Sequence, residues 1–384
     1  MEEYFDTRYP STEMLRAKAQ KRMPGFAYDY LSGGCMSNRN LRRNTEEIRE
    51  TQLKPYYLNE YPGADMSVEL FGKRYSAPFG IAPVGLQGLM WPKACEILAK
   101  AATKGSIPFV LSTVTTASIE EVARITEGDF WFQLYHPRED DLRDKLLQRA
   151  ADAGCQTLVV LADTPVFGYR PKEIRNGLSI PPRMSLRNIC QMMANPTWSF
   201  SQLAAGVPSF KTLEEYIPEG LNLKHLGQFM NKTFSGRLSA DRVKRLRDKW
   251  SGNLVIKGVV EPEDAEQAIA AGVDGIIVSN HGGRQLDSGQ STIESLKNLA
   301  GEFGSRTRLM MDGGIRNGSD IACCLASGAS FVFAGRAPMY GVCALGRRGG
   351  DHAITLLKRQ LNQVMEQVAC ERIEEFPSRL VSSS

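Results

Sequence analysis

The sequence predicts an α/β protein of the (β/α)8 TIM-barrel class, with N-terminal helices and a long insertion after strand 4. Three observations lead there. Eight short apolar runs recur along the chain, helix-like segments separate most of them, and polar residues end the runs in phase. The runs are FGIAPV (79–84), FVLST (109–113), FWFQLY (130–135), TLVVLAD (157–163), LVIKG (254–258), GIIVSN (275–280), LMMDGG (309–314) and FVFAGR (331–336). They are rich in Val, Ile, Leu and Phe without strict alternation, as strands buried on both faces are. Helices are expected over 94–104, 118–126, 139–154, 240–250, 262–272, 291–303 and 317–328. Eight strand–helix units imply a closed barrel. A doubly wound sheet is the alternative, and it is weakened because no G-x-G-x-x-G follows the first run.

Outside the barrel, residues 1–75 read as helical at first. Ser11 can cap a helix that Pro24 limits, and Gly33-Gly34 ends a second. The 384 residues fit one domain over 1–384, with the barrel at about 76–345 and the insertion at about 171–240. That insertion is far longer than an ordinary strand-to-helix connection, and long loops on this rim usually cover a site.

Composition narrows the function. Hydrophobic residues make up 42% and charged residues 23%, enough for a real core. A net charge of +4 with no dense Lys/Arg run gives no reason to expect nucleic acid. None of the eight cysteines form a C-x-x-C pair, so no metal site or dithiol centre is expected. The opening residues MEEYFDTRYP are acidic and polar, unlike a secretory signal. No apolar stretch reaches the about 18 residues of a spanning helix. The expectation is a cytoplasmic protein, or one peripheral on the inner face of the plasma membrane.

In such a barrel the chemistry sits where the strands end. Asp312, Gly313, Gly314, Ile315 and Arg316 leave the seventh run, and Gly335-Arg336 leaves the eighth. Barrels commonly bind phosphate with these two loops. Glycines let backbone N–H groups approach, and two arginines can grip a dianion. The phosphate could belong to a substrate or to a cofactor. Lys257 ends the fifth run. It either pairs structurally with a carboxylate or, if the phosphate anchors FMN, stabilises negative charge on the reduced flavin.

After the sixth run comes Ser279-Asn280-His281-Gly282-Gly283-Arg284. Only four histidines exist, and His281 alone stands at a strand end beside glycines and an arginine. An imidazole near neutrality suits proton abstraction, and a guanidinium suits a small carboxylate. Asp163, ending the fourth run, either orients His281 or caps the turn at Thr164-Pro165.

SNHGGRQLD (279–287), DGGIRNGSDI (312–321) and GRAPMYG (335–341) resemble the FMN-dependent 2-hydroxy acid oxidase and dehydrogenase family, from about Tyr28 to Cys370. This family includes glycolate oxidase, L-lactate dehydrogenase and mandelate dehydrogenase types. GLQGLMWPKA and ATKGSIPFVLST are most similar to the mandelate type. The resemblance implies FMN as cofactor and a homotetramer. It makes His281 the base, Asp163 its partner and Tyr135 the tyrosine near the substrate hydroxyl. Tyr30, Arg284 and the mobile Arg170 would hold the substrate carboxylate. Pro83, Val84, Gly85, Ser112, Gln133, Lys257 and Ser279 would contact the flavin, with 312–316 and 335–336 at its phosphate. Leu161 departs from the pattern: a threonine is common there, so one bond to the ring is missing.

The resemblance implies oxidation of an S-2-hydroxy acid to the 2-oxo acid. Gly85 stands where the family's oxidases usually have alanine. That favours electron transfer to quinone or another carrier, with oxygen the alternative acceptor. Val114 replaces a bulky tryptophan, so a mandelate-like or lactate-like substrate larger than glycolate is expected. A non-catalytic flavin-binding protein and an FMN barrel isomerase are remoter alternatives. Finally, Ile174 to Lys211 carries no acidic residue but includes Arg175, Arg183, Arg187, Met192, Met193, Trp198, Phe200 and Phe210. Basic and apolar groups together suit a membrane surface across 176–212. A lid packed on its own barrel, or a subunit contact, is the equal alternative.

Overall fold

The computed structural model describes residues 4–177, 185–206, 208–217, 232–234 and 236–381. Helices α1 (Thr12–Arg22), α2 (Gly25–Ser32) and α3 (Arg39–Glu50) come first. Ser11 caps α1 by accepting from the Met14 N–H at 3.2 Å, and the Gly33 N–H closes α2 on the Asp29 carbonyl. Both ends were legible. Helix α3 was not expected, because RNLRRNTEEIRE presents almost no apolar face. Neither was the antiparallel hairpin of β1 (Val68–Leu70) and β2 (Lys73–Tyr75), whose strands are too short to carry a period.

The barrel strands are β3 (Phe79–Ile81), β4 (Val110–Ser112), β5 (Trp131–Leu134), β6 (Thr157–Leu161), β7 (Asn253–Val259), β8 (Gly275–Val278), β9 (Arg308–Asp312) and β10 (Phe331–Ala334). Their starts match the eight predicted runs to within one residue. All pair in parallel, in the order β3-β10-β9-β8-β7-β6-β5-β4. The Ile81–Phe109 bridge joins the two ends and closes the ring. Closure leaves no sheet edge and gathers eight strand C-termini on one rim.

At the opposite end the hairpin plugs the barrel. Phe71 lies 5.7 Å from Trp131, and Tyr75 lies 6.0 Å from Phe331. Trp131 and Phe331 each stack 5.3 Å from Phe333, and Trp131 Nε1 donates to the Tyr75 hydroxyl at 3.3 Å. The floor is thus packed with aromatic rings, and the cavity opens at the C-terminal rim.

The described part of the insertion carries short helices at Pro171–Arg175, Leu186–Met193 and Pro196–Ala205. Trp198 pins it to the barrel. Its ring is buried, meets Phe26 of α2 edge-on at 5.7 Å, and its Nε1 donates to the Met90 carbonyl at 3.0 Å. Leu186, Met193, Phe200 and Leu203 are exposed on the same helices. Arg183 lies outside the described residues.

The plug generates a stability prediction. Full burial makes Phe→Ala cost about 3–5 kcal/mol, so the partly buried Phe71 should cost about 2 kcal/mol when cut to Ala. Urea denaturation of the FMN-loaded protein measures this. Flavin content should be unchanged, because the hairpin lies at the far end from the rim.

Candidate active site

Strand β8 leads into a turn that glycine makes possible. His281, Gly282 and Gly283 all have left-handed backbone, with φ of 59°, 61° and 75°. Such a conformation is costly for a histidine and needs support from its surroundings. Helix α3 supplies it. Asn280 Nδ2 donates to Asn44 Oδ1 at 2.7 Å and to Asn40 Oδ1 at 3.1 Å, while Asn280 Oδ1 accepts from the Gly283 N–H at 3.0 Å. A side chain at Gly283 would strike the Leu41 backbone at 2.5 Å, so only glycine lets α3 come this close.

The turn aims His281 at Asp163, which follows β6. His281 Nδ1 lies 3.0 Å from Asp163 Oδ1. A further glycine makes the approach possible: Gly258, at φ 101° beside the irregularity in β7, has no side chain to meet Asp163 at 2.5 Å. Burial alone would raise the Asp163 carboxyl. The hydrogen bond from His281, its charge whenever the ring is protonated, and Lys257 and Thr164 outweigh it and hold Asp163 below its ordinary value. For His281, burial dominates and lowers the imidazole, against the pull of Asp163. The pair at neutral pH is therefore carboxylate and neutral imidazole. An ionised carboxylate can only accept, so Nδ1 carries the proton and Nε2 keeps its lone pair.

One cavity of about 1460 Å³ occupies the rim. Every residue expected at the site lines it except two: Asp163 stands behind His281, and Ser279 stands behind Lys257. Lys257 pairs with Asp312 at 3.0 Å, and Ser279 Oγ links the two by accepting from Lys257 and donating to Asp312. The structural pairing foreseen for Lys257 thus coexists with its place on the cavity wall. Leu161 lines the cavity with an apolar side chain. Val114 does too, 2.9 Å from where a β-carbon on Gly85 would stand.

Charge is the cavity's defining property. Among the described residues five cations line it, Arg170, Lys257, Arg284, Arg316 and Arg336, and two carboxylates, Glu173 and Asp312. Arg336 donates to the carbonyls of Leu31, Gly33 and Gly282, and the Arg316 guanidinium to its neighbour Ile315, so among the described residues neither guanidinium hydrogen-bonds a carboxylate; the Arg316 backbone N–H meets Asp320 at 2.7 Å. Withdrawal from water, then repulsion from Arg316 and Arg284, lowers Arg336 to about 9. Like charges held this close call for an anion. Burial chiefly raises both phenols, Tyr30 and Tyr135, so they remain O–H donors.

Arg284 is firmly fixed. Its Nη1 donates to the carbonyls of Tyr30 (2.8 Å) and Gly33 (3.0 Å) at the end of α2, and its guanidinium lies 4.9 Å from the Tyr30 ring. Its Nη2 donates to Glu173 at 2.6 Å. Glu173, Gly258, Asn40 and Asn44 escaped the sequence reading. Only the histidine–glycine–arginine turn was a local signal; these four act through tertiary contact.

The residues fit FMN. Gln133 Nε2 is a buried amide donor on the cavity wall with no partner among the described residues, as an amide awaiting a carbonyl acceptor would be. The loops with Gly313, Gly314 and Gly335 stand beside the two arginines whose guanidinium groups have no carboxylate hydrogen bond among the described residues.

The closed parallel barrel and this cationic, polar-rimmed cavity define a flavin-binding oxidoreductase. The FMN-dependent dehydrogenase model matches residues 19–383, and the chain belongs to that family. It is 37% identical to (S)-mandelate dehydrogenase of Pseudomonas putida, over 94% of this chain and 91% of that one. It is 36% identical to an L-lactate dehydrogenase of Ectopseudomonas mendocina (strain ymp), over 95% and 97%. The crystal structure of the monotopic membrane protein (S)-mandelate dehydrogenase superposes with a TM-score of 0.93 at 36% identity, covering 98% of this chain and 100% of that chain. Mandelate oxidase superposes at 0.82 and 29%, covering 98% of each chain. FMN is accordingly the cofactor.

A dianion at Arg316 and Arg336 should stabilise the flavin-free protein. A ligand that binds only the folded state at 100 times its Kd adds about 2.7 kcal/mol. Inorganic phosphate should therefore raise the Tm of the apoprotein, and Arg336→Ala should abolish the rise. An equal rise in the variant would place the phosphate elsewhere.

Proposed function

We propose that this enzyme oxidises an S-2-hydroxy acid with an apolar side chain, mandelate-like before lactate-like, to the 2-oxo acid. The observation that carries the reading is His281, hydrogen-bonded to the Asp163 carboxylate, lining the same cavity as Arg170 and Arg284. His281 takes the substrate's proton on Nε2, and Asp163 stabilises the imidazolium that results. Arg170 and Arg284 hold the carboxylate, with Tyr30 beside them, and the Tyr135 O–H meets the substrate oxygen. FMN, when bound, supplies the two-electron acceptor. Ser112, Gln133, Lys257 and the 83–85 backbone hold its ring, while 312–316 and 335–336 hold its phosphate.

Charge supports the assignment. Among the described residues the five lining cations exceed the two lining carboxylates by three charges, which a phosphate dianion and one substrate carboxylate together supply. Apolar walls support an aromatic substrate: Leu89, Val114, Leu161, Phe167 and Met192 line the same space. Gly85 leaves the flavin side of Val114 without a β-carbon, and on the family resemblance this favours a quinone or another carrier over oxygen. The insertion supports a membrane-surface location. Trp198 holds one side on the barrel while Leu186, Met193, Phe200 and Leu203 are exposed, the last three also lining the cavity, with no carboxylate from Ile174 to Lys211. Among the described residues no helix is long and apolar enough to cross a membrane.

Anaerobic bleaching of the flavin by a panel of S-2-hydroxy acids tests the reading. (S)-Mandelate should bleach fastest, and a panel without effect rejects the substrate class. Peroxide formed in air at the rate of dye reduction would favour oxygen as acceptor. His281→Ala should retain its flavin yet lose about 10²–10⁴ in turnover. The pH profile follows from the lowered imidazole: the base must be neutral, so kcat/KM should hold as pH falls through about 6.5 and drop only below it.

A further inference from the structure

The cavity wall carries one acidic group that the oxidation does not use. Glu173 is buried, and its two oxygens face the two substrate arginines. Oε1 accepts from Arg284 Nη2 at 2.6 Å, and Oε2 from Arg170 Nη1 at 3.4 Å. Its helix, Pro171–Arg175, is tied to α2 through Asp29, which meets Lys172 at 3.7 Å and accepts from Asn176 Nδ2 at 2.7 Å. Asn176 in turn accepts at its carbonyl from Asn188 of the next helix. The carboxylate is therefore anchored from its own backbone and does not depend on the arginines for its position.

The two arginines are held unequally. Arg284 has two backbone carbonyls besides Glu173. Among the described residues Arg170 has only long contacts, to Glu173 and to the Arg284 carbonyl, both at 3.4 Å. Withdrawal from water, then repulsion from Arg284, lowers Arg170, and Glu173 opposes this. An incoming carboxylate meets a guanidinium pair that already shares an internal one.

We propose that Glu173 is a positioning residue that competes with substrate and product for the arginine pair. It offsets half of the pair's charge when the pocket lacks a carboxylate, and it weakens carboxylate binding so that the 2-oxo acid leaves. Arg170, the loosely held member, exchanges between Glu173 and the ligand. This rests on the reading that Arg170 and Arg284 take the substrate carboxylate.

A competitor and a structural prop predict opposite signs. Glu173→Gln keeps an oxygen for Arg284 but removes the charge. In the FMN-loaded full chain, benzoylformate and benzoate are titrated against the flavin absorbance. Competition predicts a Kd about ten-fold lower or more in Glu173→Gln, since a unit charge a few Å away is removed. KM should fall with it, kcat should fall as the product lingers, and Glu173→Asp should return Kd towards that of the unaltered enzyme. Where the Gln variant does not retain flavin, Glu173→Ala removes the same charge and carries the same expectation. A Kd unchanged or raised in the charge-removed variant, with the unaltered enzyme binding normally, overturns the competition alone. An unaltered enzyme whose flavin responds to no carboxylate overturns the substrate reading with it.

Discussion

Uncompensated positive charge at one end of a closed barrel is the constraint that organises this molecule. Isolated cations in a poorly solvated cavity are costly unless anions meet them. Here Lys257 is met by Asp312 and Arg284 by Glu173, while Arg336 is left beside like charges and drops to about 9. Backbone carbonyls at the end of α2 accept from both Arg284 and Arg336, and the Gly282 carbonyl accepts from Arg336 as well. The N-terminal helices thus belong to the site as well as to the outer shell: α2 holds the arginines, and α3 holds the turn that carries His281.

The same charge sets the protonation of the base. Burial first, then Lys257 and Arg170, lower the imidazole and favour its neutral form against the pull of Asp163. Asp163 fixes the tautomer through Nδ1. Burial, repulsion and one carboxylate together produce a base that is available at neutral pH. The left-handed φ of His281 is the conformational cost of aiming the ring, and the asparagine network around Asn280 is what sustains it.

The barrel was legible because its strands are buried on both faces and read as unbroken apolar runs. The plug was not, since three-residue strands leave no pattern. At the site, His281 and Arg284 share one glycine turn and announce themselves. Asp163 could have been a cap or a partner; the distance to His281 decides that it is a partner. Tyr30 looked like a core residue in a helix, and only the family resemblance pointed to it; the structure places it under Arg284. Glu173 had no local signal, because a glutamate in a short polar stretch reads as a solvated helix face. In the insertion, Trp198 and Phe200 are two residues apart with opposite fates, one buried and one exposed, and no clear period in PTWSFSQLAA separates them.

The central claim is that the excess cations divide between a phosphate at one side of the rim and a carboxylate beside His281. A crystal structure with FMN and benzoylformate tests it most directly. The phosphate should lie against Arg316 and Arg336, with the carboxylate between Arg170 and Arg284 and the keto oxygen towards His281 Nε2. A carboxylate lodged away from those two arginines, or a phosphate remote from Arg316 and Arg336, contradicts the account.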